Sequence, residues 1–399
     1  MSERRISLAL VSALGLTQII GYGTLFYAFS ILAPGMAKDL GLSLEEVFGV
    51  FSISLFLGGL AAPIIGRQMD RIGAATVLTI GSGLSAAMLA FSAWSPSVIV
   101  FALAIILTEV SSGMVQYQAA FAALVERDPH TAPRGITYLT LIGGFASTIF
   151  WPISTALSGH FTWREIYLLF AALNLLVCMP LHFWVMLKGK AAHASGQMGK
   201  RLHVEGVVPQ ARRRAAMMLV SVDFALLGFT LSSILAHMVP MLGALGLGGA
   251  AVVIGSLFGP AQVLSRLINM VFGTNLSPPM LAVISAALMV FGILLLALTG
   301  ASMVGAVAFA ICLGLGSGIN SIAQGSLPLY LFGSDGYGAI SGKMTAARLA
   351  TGAAAPFVFS MAMERLGLDA SLFATAALGT IGIAAFLRVA MGVKRGSTN

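Results

Sequence analysis

Twelve long apolar stretches, separated by short polar loops, constrain this chain more than any other feature of its sequence. A helix needs about 20 apolar residues to cross the hydrocarbon core of a bilayer. Stretches of that length lie at 8–37, 44–66, 75–94, 98–125, 136–157, 166–187, 215–240, 250–272, 279–299, 303–331, 340–362 and 370–391. Charged residues make up only 9% of the chain, against about 25% in soluble domains, so the chain cannot present a polar surface to water. We therefore predict an all-α polytopic membrane protein with twelve transmembrane helices, called spans 1 to 12.

The distribution of positive charge predicts which side of the membrane each loop faces. Lys and Arg concentrate in alternate loops, which places both termini in the cytoplasm by the positive-inside rule. The net charge of +8 therefore reflects topology and does not indicate nucleic-acid binding. Cys178 and Cys312 both lie in apolar stretches, so no disulfide framework is expected.

The longest loop, 188–214, is basic and rich in glycine, and it divides the chain nearly in half. We predict an N-terminal six-helix bundle over 1–187, a flexible cytoplasmic linker over 188–214 with affinity for anionic lipid, and a C-terminal six-helix bundle over 215–399. Short matches between the halves, such as 30–33 with 233–236, indicate two pseudo-symmetric repeats. Duplicated bundles are usual in secondary transporters, which bind substrate between the repeats near the bilayer midplane.

A short charged turn joins spans 2 and 3. It contains Gly66, Asp70, Arg71 and Gly73 in the spacing Gly-x-x-x-Asp-Arg-x-Gly. This spacing and position resemble the loop 2–3 signature of the major facilitator superfamily of secondary transporters, although two alanines follow where that family usually has basic residues. The resemblance implies the major facilitator fold. An ordinary hairpin loop that obeys the positive-inside rule is the alternative.

Asp70 and Arg71 are predicted to form a conformational latch. The unpaired N–H groups at a helix start favour a carboxylate, so we expect Asp70 to accept hydrogen bonds from the amides that open span 11, around 339–342. Arg71 is expected to pair with an acid at the end of span 4, either Glu126 or Asp128. Such contacts on the cytoplasmic side would favour the outward-open state.

Ionisable residues inside the spans are the most informative ones, because a charge at the membrane centre costs roughly 2.5–3.5 kcal/mol. They are Glu109, Asp223, His237, Arg266, Lys343 and Arg348. In the major facilitator arrangement all of them lie on cavity-lining spans. A guanidinium cannot easily lose its proton, so Arg266 and Arg348 each need an anion nearby.

Polar residues at helical spacing accompany these charges. Gln262 shares a helix face with Arg266 in span 8, and Asn320 and Gln324 lie on the polar side of span 10. Such stripes face either an aqueous path or another helix. For the serines and threonines of these stripes, hydrogen bonding within a packed bundle is the better interpretation.

Glu109, Asp223 and His237 are the candidate proton-coupling residues. An acid in a low dielectric holds a proton more firmly, and histidine titrates near physiological pH, so both suit reversible protonation. Two of them have a plainer alternative: Glu109 as one half of a static ion pair with an arginine, and His237 as a structural histidine.

Several stretches resemble bacterial monocarboxylate and oxalate/formate-type carriers. They are 18–27 in span 1, 163–164, 237–240 and 336–342. Carriers of that branch bind a carboxylate with a span 8 arginine and a span 11 base, so the resemblance implies roles for Arg266 and for Lys343 or Arg348. The candidate substrate-binding residues are therefore Arg266, Arg348, Gln262, Asn320, Gln324 and Tyr22.

The expected function is alternating-access transport of a small organic anion, a monocarboxylate or dicarboxylate, with a proton. The carrier is expected to be a monomer in a cell membrane, most simply the bacterial inner membrane. An efflux antiporter for drugs or hydrophobic cations is the alternative, and a non-transporting membrane sensor is the alternative of another class. The sequence shows no metal-ligand cluster, nucleotide-cradling loop or nucleophile triad, so neither enzyme activity nor a cofactor is expected.

Overall fold

The computed structural model describes residues 7–194, 203–273 and 276–396. Within these residues, twelve helices are long and apolar enough to cross a membrane. Spans 1 to 12 run over Leu8–Leu40, Leu44–Ile72, Ala74–Trp94, Val98–Arg127, Ala132–Ser158, Trp163–Gly189, Gln210–Leu247, Ala250–Phe272, Pro278–Thr299, Met303–Phe332, Tyr337–Leu366 and Leu368–Val389. The helices of spans 6 and 12 continue to Ala194 and Gly396. The prediction of a twelve-span helical membrane protein is confirmed.

Local sequence determines where several spans begin and end. Span 2 begins with a capping box, in which Ser43 Oγ accepts from the Glu46 N–H and the Glu46 carboxylate accepts from the Ser43 N–H. Thr162 and Glu165 form the same arrangement at the start of span 6. Gly41 ends span 1 with a φ of 66°, a conformation that favours glycine. These caps satisfy orphan backbone groups, so short loops suffice between spans.

Several spans depart from regular α-helix. Turns of π-helix occupy Gly23–Tyr27, Asn174–Cys178 and Gly243–Leu247. The helix is interrupted between Ser112 and Tyr117 in span 4, between Gly143 and Ala146 in span 5, and between Ser256 and Phe258 in span 8. Backbone groups released there must find partners inside the protein or in water, because hydrocarbon offers none.

The chain forms two compact units. The first comprises 1–205 with 333–346, and the second comprises 206–332 with 347–399. The breaks fall at 205/206 before span 7, at 332/333 at the end of span 10, and at 346/347 inside span 11. The predicted boundaries at 187 and 215 stay a prediction.

The start of span 11 belongs to the first unit because it packs tightly against span 2. A Cβ at Gly66 would collide with the carbonyl of Gly338, and a Cβ at Gly342 would lie 2.5 Å from the Ala62 carbonyl oxygen. Only glycine allows the two backbones this close approach. The packing holds the first turn of span 11 directly beside the loop 2–3 motif.

A buried polar cluster joins spans 1, 3 and 6 in the first unit. His182 Nδ1 lies 2.7 Å from Ser82 Oγ, and its Nε2 lies 2.9 Å from Thr17 Oγ1. Both nitrogens of this fully buried ring thus have partners, as buried polar groups in proteins generally do. The cluster is a structural tie between the three spans.

Arg164 ties together the ends of spans 1, 3 and 6 in the same unit. Its Nε donates to Asp39 Oδ2 at 2.8 Å, and its Nη1 donates to the carbonyls of Ala93 and Ser95 at 2.7 and 2.8 Å. The guanidinium also lies 4.5 Å from the ring centroid of Trp163. The planar guanidinium has several N–H donors, so one side chain holds the ends of the three spans together.

Spans 8 and 10 of the second unit pack through glycines. A Cβ at Gly314 would lie 2.5 Å from the Phe258 carbonyl oxygen, and one at Gly318 would collide with Ser265 and with the Gln262 backbone. The two backbones therefore come close together. Polar side chains on the facing sides of these spans are consequently within hydrogen-bonding distance of each other.

The described end of the predicted flexible linker is held by hydrogen bonds instead. In the first unit, the Ser334 N–H donates to the Val204 carbonyl at 2.9 Å. In the second unit, the N–H groups of Val207 and Val208 donate to the carbonyls of Tyr330 and Leu331 at 3.1 and 3.0 Å. The carbonyls of the last turn of a helix have no helical N–H donors, and the amides of Val207 and Val208 supply donors to two carbonyls in the last turn of span 10.

Candidate functional site

Asp70 binds the start of span 11 as the sequence predicts. Its Oδ1 accepts from the Gly338 N–H at 2.8 Å, and its Oδ2 accepts from the Ala339 N–H at 2.8 Å. These amides belong to the first turn of the helix that begins at Tyr337. A carboxylate is favoured there by the unpaired N–H groups and by the positive end of the helix dipole.

The predicted pairing of Arg71 is wrong. Arg71 pairs with neither Glu126 nor Asp128, since the ion pairs between described residues join Arg164 to Asp39 and His203 to Asp335. Glu126 Oε2 instead accepts from the Ala74 N–H at 2.7 Å. The acid thus caps the start of span 3, because unpaired backbone amides lie closer to it than the Arg71 side chain does.

Among the described Lys and Arg side chains of the second unit, Arg266 is the most deeply buried, at 3% exposure. Its Nε donates to Ser321 Oγ at 3.1 Å, which joins span 8 to span 10. Its Nη1 is buried and has no hydrogen-bond partner, and no carboxylate of the described residues lies within 4 Å of the guanidinium. A buried cation is thus left without the anion that it needs.

Other predicted substrate-binding residues lie on the same two spans. Gln262 Nε2 donates to Ser317 Oγ at 2.9 Å. Asn320 is buried, and its Oδ1 has no partner within the described chain. Gln324 is half-buried. Spans 8 and 10 therefore carry a guanidinium, three amides and hydroxyl groups, which is a suitable set for a polar ligand.

The two candidate bases of span 11 fall in different units. Lys343 is exposed and belongs to the first unit. Arg348 is half-buried and belongs to the second unit, where its side chain and backbone pack against Gly228 of span 7. A Cβ at Gly228 would lie 2.7 Å from Arg348 Cγ. Arg348 is therefore the basic residue of span 11 that shares a unit with Arg266.

Asp223 of span 7 is buried in the second unit and forms no ion pair with Arg266. The side chain is fully buried and lies against span 12, where a Cβ at Gly382 would lie 2.8 Å from Asp223 Oδ1. Neither carboxylate oxygen has a partner among the described residues. Burial against a glycine leaves room for the carboxyl group but offers it no donor.

Glu109 lies in the first unit with 6% exposure. Its side chain packs on Gly58 of span 2, where an added Cβ would lie 3.0 Å from Glu109 Cγ. Glu109 forms no ion pair with an arginine among the described residues, so the alternative of a static ion pair is not observed. Glu109 is therefore a second buried acid without a cationic partner.

His237 has local contacts in the second unit. Its Nδ1 donates to the Ser233 carbonyl of the preceding helical turn at 3.0 Å, and its ring centroid lies 5.3 Å from that of Phe359. Both contacts suit a structural histidine. The ring is half-buried, so these contacts leave part of it exposed.

Tyr22, a predicted substrate-binding residue, lies in the first unit among other aromatic side chains that the sequence did not indicate as its neighbours. Its ring centroid lies 4.8 Å from that of Tyr117 in span 4. The neighbouring Tyr27 lies 5.9 Å from Trp151 in span 5. Aromatic residues recur in spans 1, 4 and 5 in the sequence, but their spacing alone does not show that they meet.

No cluster of three or more His, Cys, Asp or Glu residues in the described part of the chain could hold a metal ion.

The sequence profile of the Major Facilitator Superfamily matches residues 14–356. A search of curated protein sequences finds no match. The profile nevertheless covers most of the chain, including the loop 2–3 motif and the spans that carry the candidate site residues.

Solved structures of the same fold include three transporters. The human organic anion transporter MFSD10 (TETRAN) has a TM-score of 0.73 and 15% identity, over 96% of this chain and 100% of that chain. The proton:xylose symporter XylE bound to 6-bromo-6-deoxy-D-glucose has a TM-score of 0.71 and 14% identity, over 97% of both chains. The transporter FucP in the outward conformation has a TM-score of 0.71 and 12% identity, over 94% and 97%. At these identities the likeness shows the fold alone.

Proposed function

The chain belongs to the major facilitator superfamily, and we propose that it moves a small organic anion across the membrane with a proton, by alternating access. The anion is a monocarboxylate or a dicarboxylate. The carrier acts as a monomer in a cell membrane, with both termini in the cytoplasm and lipid around its spans.

The observation that carries this proposal is the unpaired guanidinium of Arg266. Leaving a buried polar group without a partner costs about 1–3 kcal/mol, and more when the group is charged. Nη1 of Arg266 is buried with no partner, and no described carboxylate balances its charge. A substrate carboxylate would supply both the acceptor and the counter-charge, with Gln262 and Asn320 as neutral partners on the same pair of spans.

The proton is assigned to the buried acids rather than to the arginine, because a guanidinium stays charged at any working pH. Glu109 and Asp223 are both buried without a cationic partner. Moving one net charge against 100 mV costs about 2.3 kcal/mol. Transport of one monoanion with one proton avoids that cost, so electroneutral symport is the favoured stoichiometry.

The contact of Asp70 with span 11 is proposed to act as the conformational latch. Its two hydrogen bonds connect loop 2–3 to the first turn of a helix whose remainder belongs to the second unit. A latch must be able to open and close, and two hydrogen bonds to a helix start can break and re-form. Gly66 and Gly73 allow the close packing and the turn around it.

Uptake of labelled lactate and succinate into proteoliposomes, driven by an inward proton gradient, tests the anion assignment. Arg266→Gln should abolish uptake of the transported acid, whereas Arg365→Gln, which changes an exposed arginine at the end of span 11, should leave it intact. Retained uptake by Arg266→Gln would contradict the proposal.

The efflux alternative has its own supporting observation, because unpaired buried acids could also bind a hydrophobic cation. Glu109→Gln separates the two functions. In a proton-coupled anion carrier it should spare substrate exchange and remove the dependence on a pH gradient. Binding of tetraphenylphosphonium that is lost in Glu109→Gln would instead favour the antiporter.

A further inference from the structure

Span 6 of the first unit exposes large apolar side chains along one side of its final turns. Phe183, Trp184 and Leu187 lie there on an uninterrupted α-helix and are 46%, 36% and 48% exposed. His182 and Val185, on the other side of the helix, are buried in the protein. Contiguous exposed apolar side chains on a membrane-spanning helix mark a surface that contacts lipid. This side of span 6 is therefore a lipid-facing surface.

Lys188 places a positive charge at the end of that surface. It is exposed and lies within the helix, one turn after Trp184. Residues four apart share one side of a helix, so the lysine follows the tryptophan on the lipid-facing side. Tryptophan is enriched at the level of the lipid headgroups. The ammonium group one turn further on consequently lies at the level where phosphate groups are found.

Arg127, at the end of span 4, brings a second cation to the same place. Its Nη1 donates to the Lys188 carbonyl at 3.2 Å, which holds the guanidinium beside the end of span 6. Within the described chain this is the one hydrogen bond of the Arg127 side chain, and the side chain forms no ion pair. A guanidinium has five N–H donors, so most of those of Arg127 have no acceptor among the described residues.

The acidic residues on either side of Arg127 accept hydrogen bonds from the backbone. Glu126 Oε2 accepts from the Ala74 N–H at 2.7 Å, and Asp128 Oδ1 accepts from the His130 N–H at 3.0 Å. Neither acid forms an ion pair with Arg127. Two neighbouring cations repel each other, and an anion that binds both of them removes this repulsion.

We propose that Arg127 and Lys188 form a binding site for the phosphate of an anionic phospholipid, whose acyl chains lie along Phe183 and Leu187. The guanidinium can donate two parallel hydrogen bonds to phosphate oxygens, and the ammonium group supplies the second charge. Trp184 lies between the phosphate and the acyl chains. The site is on the side of the membrane where both termini are proposed to lie, and it does not depend on which substrate is transported.

The fluorescence of Trp184 tests the proposal, because bromine atoms on a lipid chain quench a tryptophan that they contact. The purified protein is reconstituted into phosphatidylcholine vesicles that contain a small fraction of brominated phosphatidylglycerol or brominated phosphatidylcholine. The emission that is lost in Trp184→Phe identifies the Trp184 signal. Phosphatidylglycerol should occupy the site at least about 5-fold more tightly than phosphatidylcholine, since basic residues near the headgroups attract anionic lipid.

Arg127→Gln and Lys188→Gln should each lower this preference about 5-fold. Arg127→Lys should keep most of it, which allows the test if the glutamine variant does not fold. Arg214→Gln, which removes an exposed cation at the start of span 7 on the same side of the membrane, should leave the preference unchanged.

Two results would overturn the site. One is equal quenching of Trp184 by the two brominated lipids in the unmodified protein. The other is a loss of preference in Arg214→Gln as large as in Arg127→Gln, because that result would show a diffuse attraction of the whole basic surface for anionic lipid.

Discussion

Arg164 in the first unit and Arg266 in the second show two different uses of the same side chain. Arg164 donates hydrogen bonds to Asp39 and to two backbone carbonyls, and its guanidinium lies over the ring of Trp163. Arg266 is more deeply buried, and within the described chain its side chain makes one hydrogen bond, to Ser321. The first arginine holds helix ends together. The second has a buried Nη1 without a partner among the described residues, which costs stability.

The carboxylates of the two units differ in the same way. In the first unit, Asp70 accepts hydrogen bonds from two backbone N–H groups. In the second unit, neither carboxylate oxygen of the fully buried Asp223 has a hydrogen-bond partner among the described residues. Partnered charges in this protein contribute to stability. Unpartnered ones are retained despite their cost, which is the pattern expected of groups that bind substrates or protons.

Arg164→Gln should have the largest effect on stability of the variants that test this contrast. It removes an ion pair with a half-exposed acid and leaves two carbonyls without their donor, so we expect a loss of about 2–3 kcal/mol. Thermal unfolding of the purified protein in detergent measures it. Substrate affinity of the folded fraction should be unchanged, and a drop in affinity at unchanged stability would break the comparison.

Asp70→Asn should have the next largest effect. It places an amide NH2 against a backbone N–H and removes the charge that strengthens both hydrogen bonds, at a cost of about 1–2 kcal/mol. If the contact is a latch, the populations of inward-open and outward-open states should shift by a factor of about 5–30. Fluorescence energy transfer between labels on the two cytoplasmic bundle faces reads the shift. No change in populations would leave the contact as a structural cap only.

Arg266→Gln should have little effect on stability, in contrast to Arg164→Gln. The substitution removes a buried charge that has no counter-ion and keeps an amide that can still bind Ser321. We expect unfolding within about 1 kcal/mol of the unmodified protein, with any change in the stabilising direction. Thermal unfolding in the absence of substrate measures it. Destabilisation as large as that of Arg164→Gln would mean that Arg266 is a structural residue.

Arg71→Gln should have the smallest effect. The side chain makes no ion pair in the described chain, so its loss should change stability by less than about 0.5 kcal/mol. Thermal unfolding of Arg71→Gln and Asp70→Asn, measured side by side, compares the stability changes caused by two neighbouring residues of one motif. An effect equal to that of Asp70→Asn would restore a pairing role for Arg71 in another conformational state.

The sequence by itself determined the features that depend on local chemistry. The apolar lengths determine the number of spans, because each must cross the same hydrocarbon thickness. The contact between Asp70 and the start of span 11 was predictable because a carboxylate in the signature has a defined preference for helix N-termini. Arg266 was identifiable as an unusual residue because a guanidinium inside an apolar stretch always requires compensation.

Only the tertiary structure decided which neighbour each polar face meets. Helical period places Asp223 and Thr230 on one side of span 7, but it does not say that this side lies against span 12. It likewise could not show that Glu126 caps span 3 rather than binding Arg71. The hydrogen bond from Gln18 of span 1 to the Val115 carbonyl, where the helix of span 4 is interrupted, was hidden for the same reason. Such contacts between spans depend on packing that no single stretch of sequence encodes.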